Sequence, residues 1–98
     1  MPSLSTPAGG TLWYAESGPA DGRPLLLLHA ALQTHESMAP LAEELAPLGL
    51  RLIAVDLPGH GRSVHPGPLT IRAMADAVAD LMDRLGLDRP LAAGYSLG

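Results

Sequence analysis

The chain alternates between apolar runs and clusters of turn residues. Thr11 to Glu16 (Thr-Leu-Trp-Tyr-Ala-Glu) is a short β-prone run, closed by the turn signals Ser17-Gly18-Pro19 and Asp21-Gly22. Leu25 to Leu28 is a continuous apolar run. Four residues cannot be separated from buried helix by period alone, but Pro24 before them and the polar stretch after His29 favour a strand. A helix follows, with Ser37 as cap and Pro40 in the first turn, where a missing N–H is harmless. Its stripe is Met38, Leu41, Leu45 and Leu48. Pro47 ends or kinks it, and Gly49 suits the C-cap.

Leu50 to Val55 is the next strand, apolar enough to be covered on both faces. Asp56 to Pro68 reads as loop. Thr70 then caps the strongest helix of the chain, with Ile71, Met74, Val78, Leu81, Met82 and Leu85 on one side and Gly86 at its end. Asp80 and Arg84 form an i,i+4 pair worth about 0.3 kcal/mol. Leu91 to Gly94 is the last predicted strand. Strand, helix, strand, helix, strand is the pattern of an α/β fold with a mostly parallel sheet and flanking helices. Two helices cannot cover both faces of such a sheet, and the last strand would be a bare apolar edge. The expectation is therefore an incomplete fold. Residues 1–98 are read as the N-terminal segment of a single domain, with a second chain or segment supplying the rest. Alone, the segment is expected to be inactive and poorly soluble.

Composition narrows the class. Hydrophobic residues make up 47% of the 98, too many for a disordered chain. Six arginines, no lysine and ten acids give a net charge of −4, so no nucleic-acid partner is expected. The absence of cysteine removes disulfides and thiolate metal sites. Neither His29 with His35 nor His60 with His65 has acids at ligand spacing, so no metal and no cofactor are expected. No apolar run approaches the roughly 18 residues of a span, and the first ten residues carry no positive charge or long apolar stretch. The expected protein is soluble and cytoplasmic, with no membrane partner.

The chemistry concentrates where the last strand ends. Gly94-Tyr95-Ser96-Leu97-Gly98 is Gly-x-Ser-x-Gly. A sharp strand-to-helix turn strains the serine backbone, and side chains at the flanking positions would clash across it. Such a turn lifts the serine hydroxyl above the sheet edge and aims the Leu97 N–H at a reacting carbonyl oxygen. The five-residue pattern is common by itself. Its place at the end of the third strand of a β–α–β–α–β series makes it specific. On the same edge, the strand ending at His29 runs into Ala30-Ala31-Leu32, where a second N–H could complete an oxyanion hole.

With these residues the chain resembles the N-terminal part of an α/β-hydrolase of the large esterase, lactonase and perhydrolase-like group. The matching pieces are Leu25 to His29, Val55-Asp56-Leu57-Pro58-Gly59-His60-Gly61-Arg62-Ser63, and Gly94 to Gly98. The resemblance implies that Ser96 is the nucleophile and that Leu97 and Ala31 supply oxyanion N–H groups. His29, Ala30, Leu32 and Tyr95 are candidates to line the site of a small-molecule acyl substrate. It places the triad histidine and acid in later sequence. One departure is Ala30, where the family has glycine; its methyl narrows the site or shifts the loop. Serine at the elbow, not aspartate, disfavours epoxide hydrolases and haloalkane dehalogenases. The alternative is a non-catalytic α/β-hydrolase-like binding or structural protein.

The remaining polar residues have plainer readings. His29 and His60 are structural, Asp56 bonds neighbouring backbone N–H groups, and His65 faces solvent. His35 faces solvent or lines the cleft. Trp13 and Tyr14 pack in the sheet, and Met38, Met74 and Met82 belong to the core.

Overall fold

A computed structural model describes residues 3–6 and 9–98. Met1, Pro2, Pro7 and Ala8, within the N-terminal stretch read above for a leader, lie outside the described residues. The elements in chain order are β1 (Ser3–Ser5), β2 (Thr11–Ser17), β3 (Pro24–Leu28), α1 (Ala39–Leu45), β4 (Arg51–Asp56), α2 (Ile71–Arg84) and β5 (Leu91–Gly94). Every strand and helix expected from the sequence is present, with ends shifted by up to three residues. β1 is additional.

The strands form one sheet in the order β1-β2-β4-β3-β5. β3 pairs in parallel with both β4 and β5, while β2 joins antiparallel to β4 and β1 antiparallel to β2. The sheet is therefore mixed, with its three parallel strands contiguous. β3 alternates its leucines between two cores. Leu26 faces α2 together with Leu12, Tyr14, Ile53 and Val55, where Ala77 and Leu81 cover them. Leu25 and Leu27 face the α1 side with Leu52 and Met38. Both helices are needed because the run is apolar on both faces. Leu27, Ile53, Val55 and Leu81 are fully buried, each contributing about 1.5–3 kcal/mol of transfer free energy. β5 is an edge, and Leu91 on it remains exposed.

The first helix differs from its sequence reading. Its cap is Thr34, whose side chain accepts from the Glu36 N–H, not Ser37, and it begins as a 3-10 turn over His35–Met38. Pro40 does sit in the first turn of α1. At Pro47 the helix tightens into a second 3-10 turn, Ala46–Leu48, which Gly49 ends at φ 70°. Passing between 3.6 and 3.0 residues per turn rotates the apolar stripe. Met38, Ala42 and Leu45 therefore pack on the sheet, and Leu41 and Leu48 are exposed. α2 follows expectation more closely. Thr70 Oγ1 accepts from the Ala73 N–H at 3.0 Å, and Arg84 pairs with Asp80 at 3.3 Å. Met74, Ala77 and Leu81 are its buried residues, whereas Ile71 at the first turn is exposed.

Candidate active site

The three parallel strands end level. Leu28 lies opposite Val55 on β4 and opposite Gly94 on β5. His29, Asp56 and Tyr95 therefore leave the carboxyl edge side by side. The chain leaves β3 toward α1 on one face and β4 toward α2 on the other, the topology that opens a crevice at this edge.

Ser96 sits on the turn that leaves β5. The Tyr95 N–H donates to the Leu28 carbonyl at 3.1 Å, which prolongs the β3–β5 pairing by one residue. The chain then reverses, and the Gly98 N–H donates to the Tyr95 carbonyl at 3.1 Å. Ser96, between them, has φ 55°, a left-handed conformation that costs an L-residue about 1–2 kcal/mol. The flanking glycines are required by space. A Cβ on Gly94 would overlap the Gly98 backbone, and a Cβ on Gly98 would overlap the Leu28 carbonyl. Ser96 and Tyr95 are exposed, and Leu97 is half-buried. Leu97 and Gly98 border a groove of about 310 Å³ whose other walls include Leu28, Leu57, Met74 and Val78.

The loop after β3 leaves the neighbouring strand. Its Gln33 N–H donates to the Ala30 carbonyl at 3.2 Å, closing a tight turn through Ala31 and Leu32. Leu32 has φ 64° and is 95% exposed, and Ala31 is also exposed. Ala30 is buried. Ala31, Leu32, Tyr95, Ser96 and Leu97 are thus brought to one edge by adjacent strands. His29 stands apart from this group. It is fully buried, its Nε2 accepts from the Leu57 N–H at 2.9 Å, and its Nδ1 lies 2.7 Å from the Ala30 carbonyl. Its ring faces the interior, not the cleft. Burial holds its pKa below the ordinary histidine value, against the opposing pull of the Ala30 carbonyl, so the ring is neutral and free to accept.

Beneath the edge, Asp56 organises two loops. Its carboxylate is fully buried. Oδ1 accepts from the His35 backbone N–H at 2.6 Å and lies 2.8 Å from His35 Nδ1, while Oδ2 accepts from the Arg62 N–H at 3.1 Å. Burial pushes this carboxyl up. The His35 and Arg62 N–H groups and the His35 ring outweigh it and hold Asp56 below the usual aspartate value. Gly61, at φ 54°, rests against the carboxylate where any Cβ would collide with it. Ser63 Oγ donates to the Asp56 carbonyl at 2.6 Å and accepts from the Trp13 N–H at 2.8 Å. His60 stays within its loop, its Nδ1 3.0 Å from the Pro58 carbonyl and its ring 5.1 Å from that of His29. His65 is half-buried and bonded to the Pro68 carbonyl. Tyr14 is in the core, and Arg62 lies over the ring of half-buried Trp13.

Two residues were missed in their roles. His35 is half-buried and is the partner of Asp56, 21 positions away, and no local signal announces that pairing. Ser63 joins β2 to the end of β4. Its only trace in the sequence is its place in the Asp56 to Ser63 motif. Among the described residues, no group of three His, Cys, Asp or Glu side chains could hold a metal ion. No helix among them is long and apolar enough to cross a membrane.

The family model described as alpha/beta hydrolase fold matches residues 23–98. The chain is 36% identical over 89 residues to the AB hydrolase superfamily protein YisY of Bacillus subtilis, covering 90% of this chain and 32% of that protein. It is 36% identical over 87 residues to Lipase 3 of Moraxella sp., covering 87% and 27%. A hydrolase from Pseudomonas aeruginosa superposes with a TM-score of 0.91 at 32% identity, over 99% of this chain and 37% of its own. A structure from work on carboxylesterases of Nitrososphaera gargenis gives 0.91 at 26% identity, over 98% and 36%. The chain spans about a third of the length of these relatives.

Proposed function

The chain belongs to the alpha/beta hydrolase fold family, and on that premise we propose that it forms the N-terminal segment of a serine hydrolase acting on an ester, lactone or thioester carbonyl. The observation that carries this reading is Ser96. It is exposed, held at φ 55° on the turn after a parallel strand, and flanked by two glycines that tolerate no side chain. A non-glycine residue held in this region is a stored strain of the kind found at functional sites. That relatives include proteins named lipase and carboxylesterase supports the acyl-ester class.

In the proposed reaction Ser96 Oγ attacks the carbonyl carbon. A histidine outside residues 1–98, oriented by an acid also outside them, takes the hydroxyl proton and returns it to the leaving group. The Leu97 and Ala31 N–H groups receive the oxyanion, each worth about 3 kcal/mol of barrier. Water or another acceptor then releases the acyl group. Neutral, buried His29 takes no proton from Ser96 in this scheme, since both its ring nitrogens are engaged with backbone.

The test is p-nitrophenyl ester turnover by the full-length protein and its Ser96→Ala form. Loss of turnover together with loss of fluorophosphonate labelling is the expected result. Equal rates would reject Ser96 as nucleophile, whereas no turnover and no fluorophosphonate labelling in either form would favour a binding protein with this fold.

A further inference from the structure

Among the described residues, the hydrogen bonds that fasten the loop after β3 to the rest of the fold lie at its two ends. Between Ala30 and Thr34 it makes one turn, Gln33 N–H to the Ala30 carbonyl, and its middle residues Ala31 and Leu32 are exposed. Burial therefore does not fix where the Ala31 N–H points. Both fastenings reach consecutive residues at the exit of β4. Upstream, the His29 ring receives the Leu57 N–H at 2.9 Å. Downstream, His35 donates its backbone N–H at 2.6 Å to Asp56 Oδ1, and its ring Nδ1 lies 2.8 Å from the same oxygen. A carboxylate that accepts a backbone N–H can take the ring contact only as a second acceptor bond, so Nδ1 carries a proton.

We propose that the Asp56–His35 pair is a positioning device for the oxyanion loop: it pins the downstream end so that the Ala31 N–H is held ready for the developing oxyanion. The proposal rests on the serine hydrolase reading above. The carboxylate is closely surrounded: a Cβ on Gly61 would collide with it, and Oδ2 is taken by the Arg62 N–H, which ties the loop after β4 to the same group. A fully buried carboxylate is an expensive way to fill space, since its desolvation must be offset by hydrogen bonds. Here those bonds go to the loops that border the site. Asp56 and His35 touch no reacting atom. They act through Ala31.

The experiment uses the full-length protein with Asp56→Asn, His35→Ala and Ser96→Ala. Active sites are counted by a fluorophosphonate endpoint, and kcat is expressed per titrated site. The expected result for His35→Ala is a loss of about 10-fold in kcat per site with KM nearly unchanged. The inhibition constant of a boronic acid, which forms a tetrahedral adduct at the serine, should rise by the same factor. Asp56→Asn should move both quantities further in the same direction. If its buried amide prevents folding, His35→Ala, at a partly exposed side chain, decides alone. Unchanged kcat per site and unchanged boronate affinity in folded His35→Ala, with only a lower melting temperature, would overturn the proposal while leaving Ser96 as nucleophile. Turnover surviving in Ser96→Ala would instead remove the reading on which it rests.

Discussion

Replacing Ser96 by glycine and, separately, by alanine separates the strain at this residue from the chemistry of its hydroxyl. Both changes delete the oxygen, so neither variant should turn over ester. They differ only in how the backbone tolerates φ 55°. Alanine keeps the Cβ and with it the left-handed penalty of about 1–2 kcal/mol. Glycine has no such penalty but loses about 0.5–1 kcal/mol through the greater freedom of its unfolded chain. The difference leaves glycine ahead by about 0.75 kcal/mol, within a span of about 0–1.5 kcal/mol. At an ordinary position the sign is reversed, and alanine is ahead by a similar amount.

The assay is urea unfolding of the full-length variants, with midpoints compared at a common slope. In a thermal scan the expected gap is about 2–4 °C per kcal/mol for a domain of 150–250 residues. A Ser96→Ala protein more stable than Ser96→Gly would show that residue 96 is not held in the left-handed region. The strained-elbow argument would fall with it. The opposite result would show stability given up at the serine for the position of its hydroxyl.

Two further outcomes follow from the polar contacts beneath the edge. Ser63→Ala leaves the Trp13 N–H and the Asp56 carbonyl without the hydroxyl that joins them, and should lower unfolding free energy by about 1–3 kcal/mol; a urea midpoint equal to wild type would contradict this. Stability should also fall on acidification. Burial lowers the His29 pKa from its ordinary 6.5, so the unfolded chain binds that proton more readily than the folded one. His29's contribution is complete above pH 6.5 and is lost as pH falls from there toward the depressed folded value. Asp56, held below its ordinary 3.8, adds a second loss at more acid pH. Urea midpoints at pH 7.5 and 5.5 check the first step, and a midpoint that rises on acidification would refute it.

What was legible in the sequence divides by the range of the interactions involved. The elbow was legible because its causes are local. Two glycines face each other across five residues, and a strand feeds them directly. α2 was legible for the same reason: a threonine cap, a 3.6-residue stripe and a terminal glycine all lie within 17 positions. β1 was not, because three residues of Ser-Leu-Ser carry no period, and only pairing with Thr11–Trp13 makes them a strand. The antiparallel seat of β2 beside β4 was equally hidden, since register across about 40 residues leaves no local mark.

His35 is the most instructive case. A histidine in a predicted loop points to a solvated side chain. Its partner Asp56 does receive backbone N–H groups, as expected for an acid at a strand end. Nothing in the sequence connects the two, because nothing in it says that β3 and β4 end level. Once Leu28 is placed opposite Val55, the connection is forced. A loop of six residues leaving β3 returns across the mouth of β4, and the first helical residue after it meets the buried carboxylate there. The residues that touch a substrate in the proposed reaction are those marked by local motifs. The residues that set their position are marked only by topology, so the pair beneath the site becomes visible after the sheet is assembled.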